Sequence, residues 1–152
     1  MPKTRVERTL AADPQAVWAV LADPHHLPRW WPRVRRVEGV DADRFTQVLA
    51  TERGRGVRAD FRVLDAEPPR LLRWTQELEG TPFERLLVEA RTTLALTPDG
   101  AGTTTVAIEL QQRLRGWSRL VPFLFRRAAR AQLAEALDGL ERAVVGEPRA
   151  SG

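Results

Sequence analysis

His25 and His26 are the only histidines of the chain, side by side after Asp23-Pro24 where one short helix should give way to another. Adjacent residues on a helix point about 100° apart, so the pair does not converge on one metal ion. A zinc site would need more converging donors than this neighbourhood holds. The two read either as solvated loop residues or as a general acid and base. Nucleophilic chemistry has less to draw on. There is no cysteine and no tyrosine, and the two serines, Ser118 and Ser151, sit in no Gly-x-Ser-x-Gly elbow. The lack of cysteine also removes disulfides, iron–sulfur clusters and thiolate zinc sites. No metal and no cofactor is expected.

More telling are polar residues set among apolar ones. The alternation Leu72, Trp74, Gln76, Leu78 puts Gln76 on an apolar strand face. Turned inward, its amide needs a partner, because an unpaired buried amide costs about 1–3 kcal/mol; a bound ligand or an ordered water would serve. Near the end of the sheet it would simply be wet, and Gln112, beyond Leu110 on its own strand, has the same two readings. The alternations Val57, Ala59, Phe61, Val63 and Val106, Ile108, Leu110 supply further inward positions.

The closing helix, expected over 116–145, carries a conflict. Leu133, Leu137, Leu140 and Val144 form one apolar stripe. Wound back at about 100° per residue, the stripe brings Arg126 and Arg130 to the same side. Leu120, Val121, Leu124 and Ala128 form a second stripe roughly opposite. A straight helix cannot bury both. In one resolution, Arg126 or Arg130 faces an interior ligand through its guanidinium fork. In another, the segment from Trp117 to Phe125, flanked by Arg113, Arg115, Arg119, Arg126 and Arg127, is an exposed apolar patch suited to an anionic membrane surface or a protein partner. In a third, the helix bends after its first turns and packs both stripes. Pro122, near the first turn, is compatible with each.

The elements that must position these residues are legible in outline. A chain of 152 residues fits one domain able to bury roughly 70 % of its unfolded surface. Strand patterns run over 5–11, 34–40, 45–51, 57–64, 71–78, 83–96 and 103–114. Asp13-Pro14 starts a helix carrying Val17, Val20 and Leu21, which Asp23-Pro24 ends; a second short helix spans 25–30. Pro98-Asp99-Gly100-Ala101-Gly102 marks a hairpin turn. This order predicts an α+β domain over 1–145, a six- or seven-stranded antiparallel sheet with one apolar face covered by the last helix, and a disordered tail over 146–152.

The run Asp13-Pro14-Gln15-Ala16-Val17-Trp18-Ala19-Val20-Leu21-Ala22-Asp23-Pro24, followed by Leu27-Pro28-Arg29-Trp30-Trp31-Pro32, resembles the START-related, or SRPBCC, helix-grip superfamily, in particular its bacterial polyketide cyclase/dehydrase and lipid-transport branch. The Thr97-Pro98-Asp99-Gly100 turn and the arginine-rich closing helix fit the same pattern. The resemblance implies a curved sheet gripping the helix, with a hollow between them opening near the two short helices, and Trp30 facing that hollow. Its members range from aromatase/cyclases to lipid carriers, quinone-binding proteins and co-chaperone-like modules, so fold follows from it more than function.

Five tryptophans offer large flat surfaces for a planar polycyclic or isoprenoid ligand. Trp18 and Trp74 sit on apolar faces as core residues do; Trp30 and Trp31, beside prolines, suit a cavity mouth. The candidate lining is Trp30, Trp31, Ala59, Phe61, Trp74 and Gln76, joined by Val88, Ile108, Leu110 and Phe123, with Arg126 and Arg130 to orient a ligand. The leading expectation is binding or transport of a small hydrophobic molecule: a lipid, an isoprenoid quinone or a polyketide-like compound. An aromatase/cyclase or dehydratase would need an acid or base, with His25, His26 or an inward carboxylate the candidates, and the lack of tyrosine weakens it. A docking module is the third reading. Net charge is +4, with arginines dispersed among acids, which does not make a nucleic-acid surface. The charged start of the chain and the absence of any run of ~20 apolar residues predict a cytoplasmic protein without a membrane span.

Overall fold

The computed structural model describes residues 3–51, 54, 56–116 and 120–146. Trp117, Ser118, Arg119 and the expected tail beyond Gly146 lie outside them. Strand β1 (Lys3–Leu10) leads into α1 (Pro14–Leu21), whose first turn is capped as its sequence predicts: the Asp13 carboxylate accepts from the Ala16 backbone N–H at 3.0 Å. A 3-10 turn (Pro24–His26) and the one-turn helix α2 (Leu27–Trp30) follow, taking the place of the single helix expected there. Six strands come next: β2 (Val34–Glu38), β3 (Arg44–Ala50), β4 (Gly56–Glu67), β5 (Leu71–Glu77), β6 (Leu87–Pro98) and β7 (Thr104–Leu114). The chain closes with α3 (Pro122–Val144).

The seven strands form one curved antiparallel sheet in the order β1-β7-β6-β5-β4-β3-β2, so the first strand closes against the last and every later pair is a sequential hairpin. Period-2 alternation gives the sheet one apolar face. On that face Leu10, Leu94, Val106 and Ile108 are fully buried against Val17 and Leu21 of α1 and against Leu133, Leu137 and Leu140 of α3. Gly139 sets how closely the helices meet. A Cβ there would stand 2.8 Å from the Trp30 Cα and closer still to its carbonyl oxygen, so only glycine lets α2 lie on α3.

Two expected elements start late. The strand expected from residue 83 begins at Leu87, because Thr81 caps a 3-10 turn at Pro82–Arg85, its hydroxyl accepting from the Phe83 N–H. The helix expected from residue 116 begins at Pro122, which supplies the fixed φ of a first helical residue. No described helix is long and apolar enough to cross a membrane.

Candidate ligand cavity

Leucines and valines fill the sheet at one end only. Toward the other end the inward positions of β3 to β7 carry aromatic, small and amide side chains, and a cavity of about 290 Å³ opens between them and the first half of α3. Its volume lies at the small end of the range for small-molecule sites. Strand register places its walls. Ala59 stands opposite Gln47, Gln76 opposite Phe61, Thr92 opposite Trp74 and next to Leu110, and Gln112 opposite Ala90. Phe83, Leu86 and Leu87 close one side, Phe125 and Gln132 of α3 the other.

The aromatic wall is preorganised. Trp31 meets Trp74 edge-on at 5.8 Å, Trp74 meets Phe45 edge-on at 5.7 Å, and Phe45 stacks on Phe61 at 5.2 Å. Polar groups are of one kind. Gln47, Gln76, Gln112, Gln132 and Thr92 line the cavity, and none of their side chains bonds another described residue. Gln47 is the most enclosed, at 2 % exposed. None of the described lining residues carries a charge or titrates near neutral pH. The cavity therefore offers amide donors and acceptors over apolar and aromatic walls, and no general acid or base among those residues.

Of the residues singled out from sequence, Trp31, Ala59, Phe61, Trp74, Gln76 and Leu110 line this cavity, as does Gln112. The other placements are corrected. Trp30 is buried under Gly139 and borders an outer groove rather than the cavity itself. Ile108 lies in the solid core, facing Val6 and Leu94 across its neighbouring strands. Val88 is exposed because the β6–β7 register shifts between Leu87 and Glu89; this bulge turns Leu87 inward in its place. Phe123 is 62 % exposed on the outer side of α3.

Arg126 and Arg130 are exposed as well. The buried stripe of α3 runs back from Leu133 through Ala129, and the residues that reach the cavity are Phe125 and Gln132, about a third of a turn from the side on which the arginines stand. The first stripe is packed and the second is not: Leu120, Leu124 and Ala128 are exposed and Val121 half-buried. Gln47, Thr92 and Gln132 join the site without having been singled out from sequence. The alternations Phe45, Gln47, Leu49 and Ala90, Thr92, Leu94 carried the signal for the first two; Gln132 has none, since it lies off the leucine stripe.

The histidines stand away from the cavity. Asp23 caps the 3-10 turn, accepting from the His25 N–H at 3.0 Å and lying 2.8 Å from its Nδ1, while His26 Nδ1 lies 3.2 Å from the Val20 carbonyl. Partial burial pushes the Asp23 carboxyl up, but the His25 bonds and the charges of both rings outweigh it and hold the group below the ordinary carboxylate range. This is capping chemistry. Among the described residues no group of acids and histidines could hold a metal ion.

A seven-stranded sheet closed on a C-terminal helix, with two short α-helices and a 3-10 turn after the first strand, defines a helix-grip protein. The chain belongs to the polyketide cyclase/dehydrase and lipid transport family, whose model matches residues 1–145. Solved structures agree in fold. A protein from Thermus thermophilus is 24% identical with a TM-score of 0.75, covering 99% of this chain and 100% of its own. A START superfamily protein from Mycobacterium smegmatis is 13% identical with a TM-score of 0.75, covering 94% and 97%. The di-domain ARO/CYC BexL from the BE-7585A biosynthetic pathway is 20% identical with a TM-score of 0.79, and the match spans 97% of this chain but 48% of that one. Among curated proteins no sequence match is found.

Proposed function

We propose that this protein binds a small, largely apolar molecule bearing several oxygen atoms, the part enclosed by the cavity being uncharged, and carries it without transforming it. The observation that carries this reading is the cavity lining: an aromatic wall, four glutamine amides and a threonine hydroxyl, with no titratable group among them. Affinity would come from burial of apolar surface at about 25 cal/mol per Å². Orientation would come from amides that hydrogen-bond the ligand's carbonyl or hydroxyl groups, Gln47 foremost. Family membership is compatible with a lipid, a quinone-like or a polyketide-like ligand. The cyclase/dehydratase alternative gains no support from this lining, because a proton-transfer step needs a positioned acid or base.

Native mass spectrometry of protein purified from a related host, followed by denaturation and identification of what is released, tests the proposal. A stoichiometric hydrophobic adduct is expected in the native protein and should be absent from a folded Ala59→Trp variant, whose indole would fill the space. An adduct that persists unchanged in that variant would remove the cavity from the account.

A second reading rests on the exposed start of α3. Leu120 is 77% and Leu124 49% exposed, and Arg126 and Arg127 follow directly. An apolar ridge beside cations suits an anionic bilayer surface from which an apolar ligand is collected. Leu124→Asp should then lose co-sedimentation with phosphatidylglycerol vesicles while keeping its bound ligand; equal co-sedimentation would discard this reading.

A further inference from the structure

Three observations converge outside the cavity. The first is continuity. Leu49 and Gln132, which line the cavity, also line a neighbouring groove of about 420 Å³ bounded by Pro32, Arg33 and Glu135. Pro32, Arg33 and Glu135 in turn border an outer groove of about 390 Å³ that holds Arg29 and Arg142. The space between sheet and helix thus runs out past Gln132 to Arg33.

The second is charge. The cavity lining is uncharged, whereas the grooves carry Arg29, Arg33 and Arg142, none of which has an acid within ion-pair distance among the described residues. Of the two acids there, Asp138 is held by Arg8, and Glu135 forms no ion pair with a described residue. The third is backbone strain. Arg33 has φ 67°, the only described non-glycine residue with positive φ, and its carbonyl is pinned by the Ala50 N–H at 2.7 Å. That conformation favours glycine or asparagine and is costly for a long side chain. The turn would be easier to form with glycine, so the turn itself does not account for the guanidinium.

We infer that Arg33 receives the anionic end, a carboxylate, phosphate or sulfonate, of a ligand whose apolar body lies in the cavity, Gln132 and Leu49 forming the passage between them. The inference rests on the cavity reading above and extends it to a ligand that is neutral inside and charged at its exit. A guanidinium fork binds an oxyanion through two parallel bonds, and Arg29 and Arg142 add to the field without being needed for contact.

Two fluorescent probes sharing one apolar body test it: 1-anilinonaphthalene-8-sulfonate, which bears an anion, and N-phenyl-1-naphthylamine, which does not. The sulfonate should bind about tenfold more tightly at low salt, the ratio one charge-assisted hydrogen bond supplies. In Arg33→Gly and Arg33→Asn that ratio should fall to near one while the neutral probe binds as before, and both variants should melt at or above the native temperature. Glu135→Gln should strengthen sulfonate binding only. A ratio unchanged by either Arg33 variant overturns the inference and leaves the cavity standing. So does a ratio that collapses in Arg126→Gln instead, which would put the anion at the exposed start of α3. Loss of both probes' binding from the native protein would overturn the cavity reading and this one with it.

Discussion

Gln47 is the residue at which stability and binding pull apart. A nearly inaccessible amide with no partner among the described residues is a poor way to build a sheet. Gln47→Leu keeps the volume and removes the amide, so the ligand-free protein should gain up to about 1 kcal/mol in urea unfolding. Affinity for the native ligand, once identified, should fall by about tenfold or more, the value of a buried hydrogen bond. Gly139 behaves in the opposite way. Gly139→Ala gains helix propensity yet drives a methyl into the backbone of α2. Overpacking of this kind costs about 1–3 kcal/mol, and the same denaturation experiment should find the variant less stable. Asp23 adds a pH signature. Its folded pKa is depressed, so its stabilising effect is complete above the ordinary value of 3.8 and is lost as pH falls through the lower folded value. Asp23→Ala should therefore be less stable than the native protein at pH 7, and the difference should close as the solution is acidified below 3.8.

At the scale of elements, strand alternation carried most of what could be read in advance, because a period of two assigns a face without knowledge of the partner strand. Ala59, Phe61, Trp74, Gln76 and Leu110 follow from it directly. Val88 shows where the rule stops. Counting back by twos from Leu94 puts Val88 on the inner face, but one extra residue at the bulge inverts the parity, and a bulge leaves no local sequence mark of its own. Helix α3 was harder for a different reason. Its inward side is a broad arc, with Leu133, Leu137 and Leu140 packed on the core along one flank and Phe125 and Gln132 at the cavity along the other. A single stripe extrapolated at 100° per residue therefore lands on Arg126 and Arg130, which stand in solvent. The Asp13 cap was legible because it acts within one turn, bonding the backbone N–H three residues ahead; the Thr81 cap is as local, but the apolar run after it reads as strand and hides it. Asp13→Ala should cost about 1 kcal/mol, measured by thermal unfolding.

At the scale of the molecule, the domain divides into a solid end and a hollow end. The solid end, where β1, α1 and the leucines of α3 meet, holds the fully buried core. A smaller cluster of Leu78, Leu87, Ala90 and Leu114, with Phe83 and Phe125 against it, closes the far end of the hollow. The solid end anchors the sheet, and edge-on contacts of Trp31, Trp74 and Phe45 fix the aromatic wall at the other. The lack of any ionisable group among the described residues of the wall has a further result: the part of a guest held there exchanges no proton with its host. The dissociation constant of the neutral naphthylamine probe should trace a flat line between about pH 5 and pH 9, a window in which any histidine or raised carboxylate at the contact would have left a step.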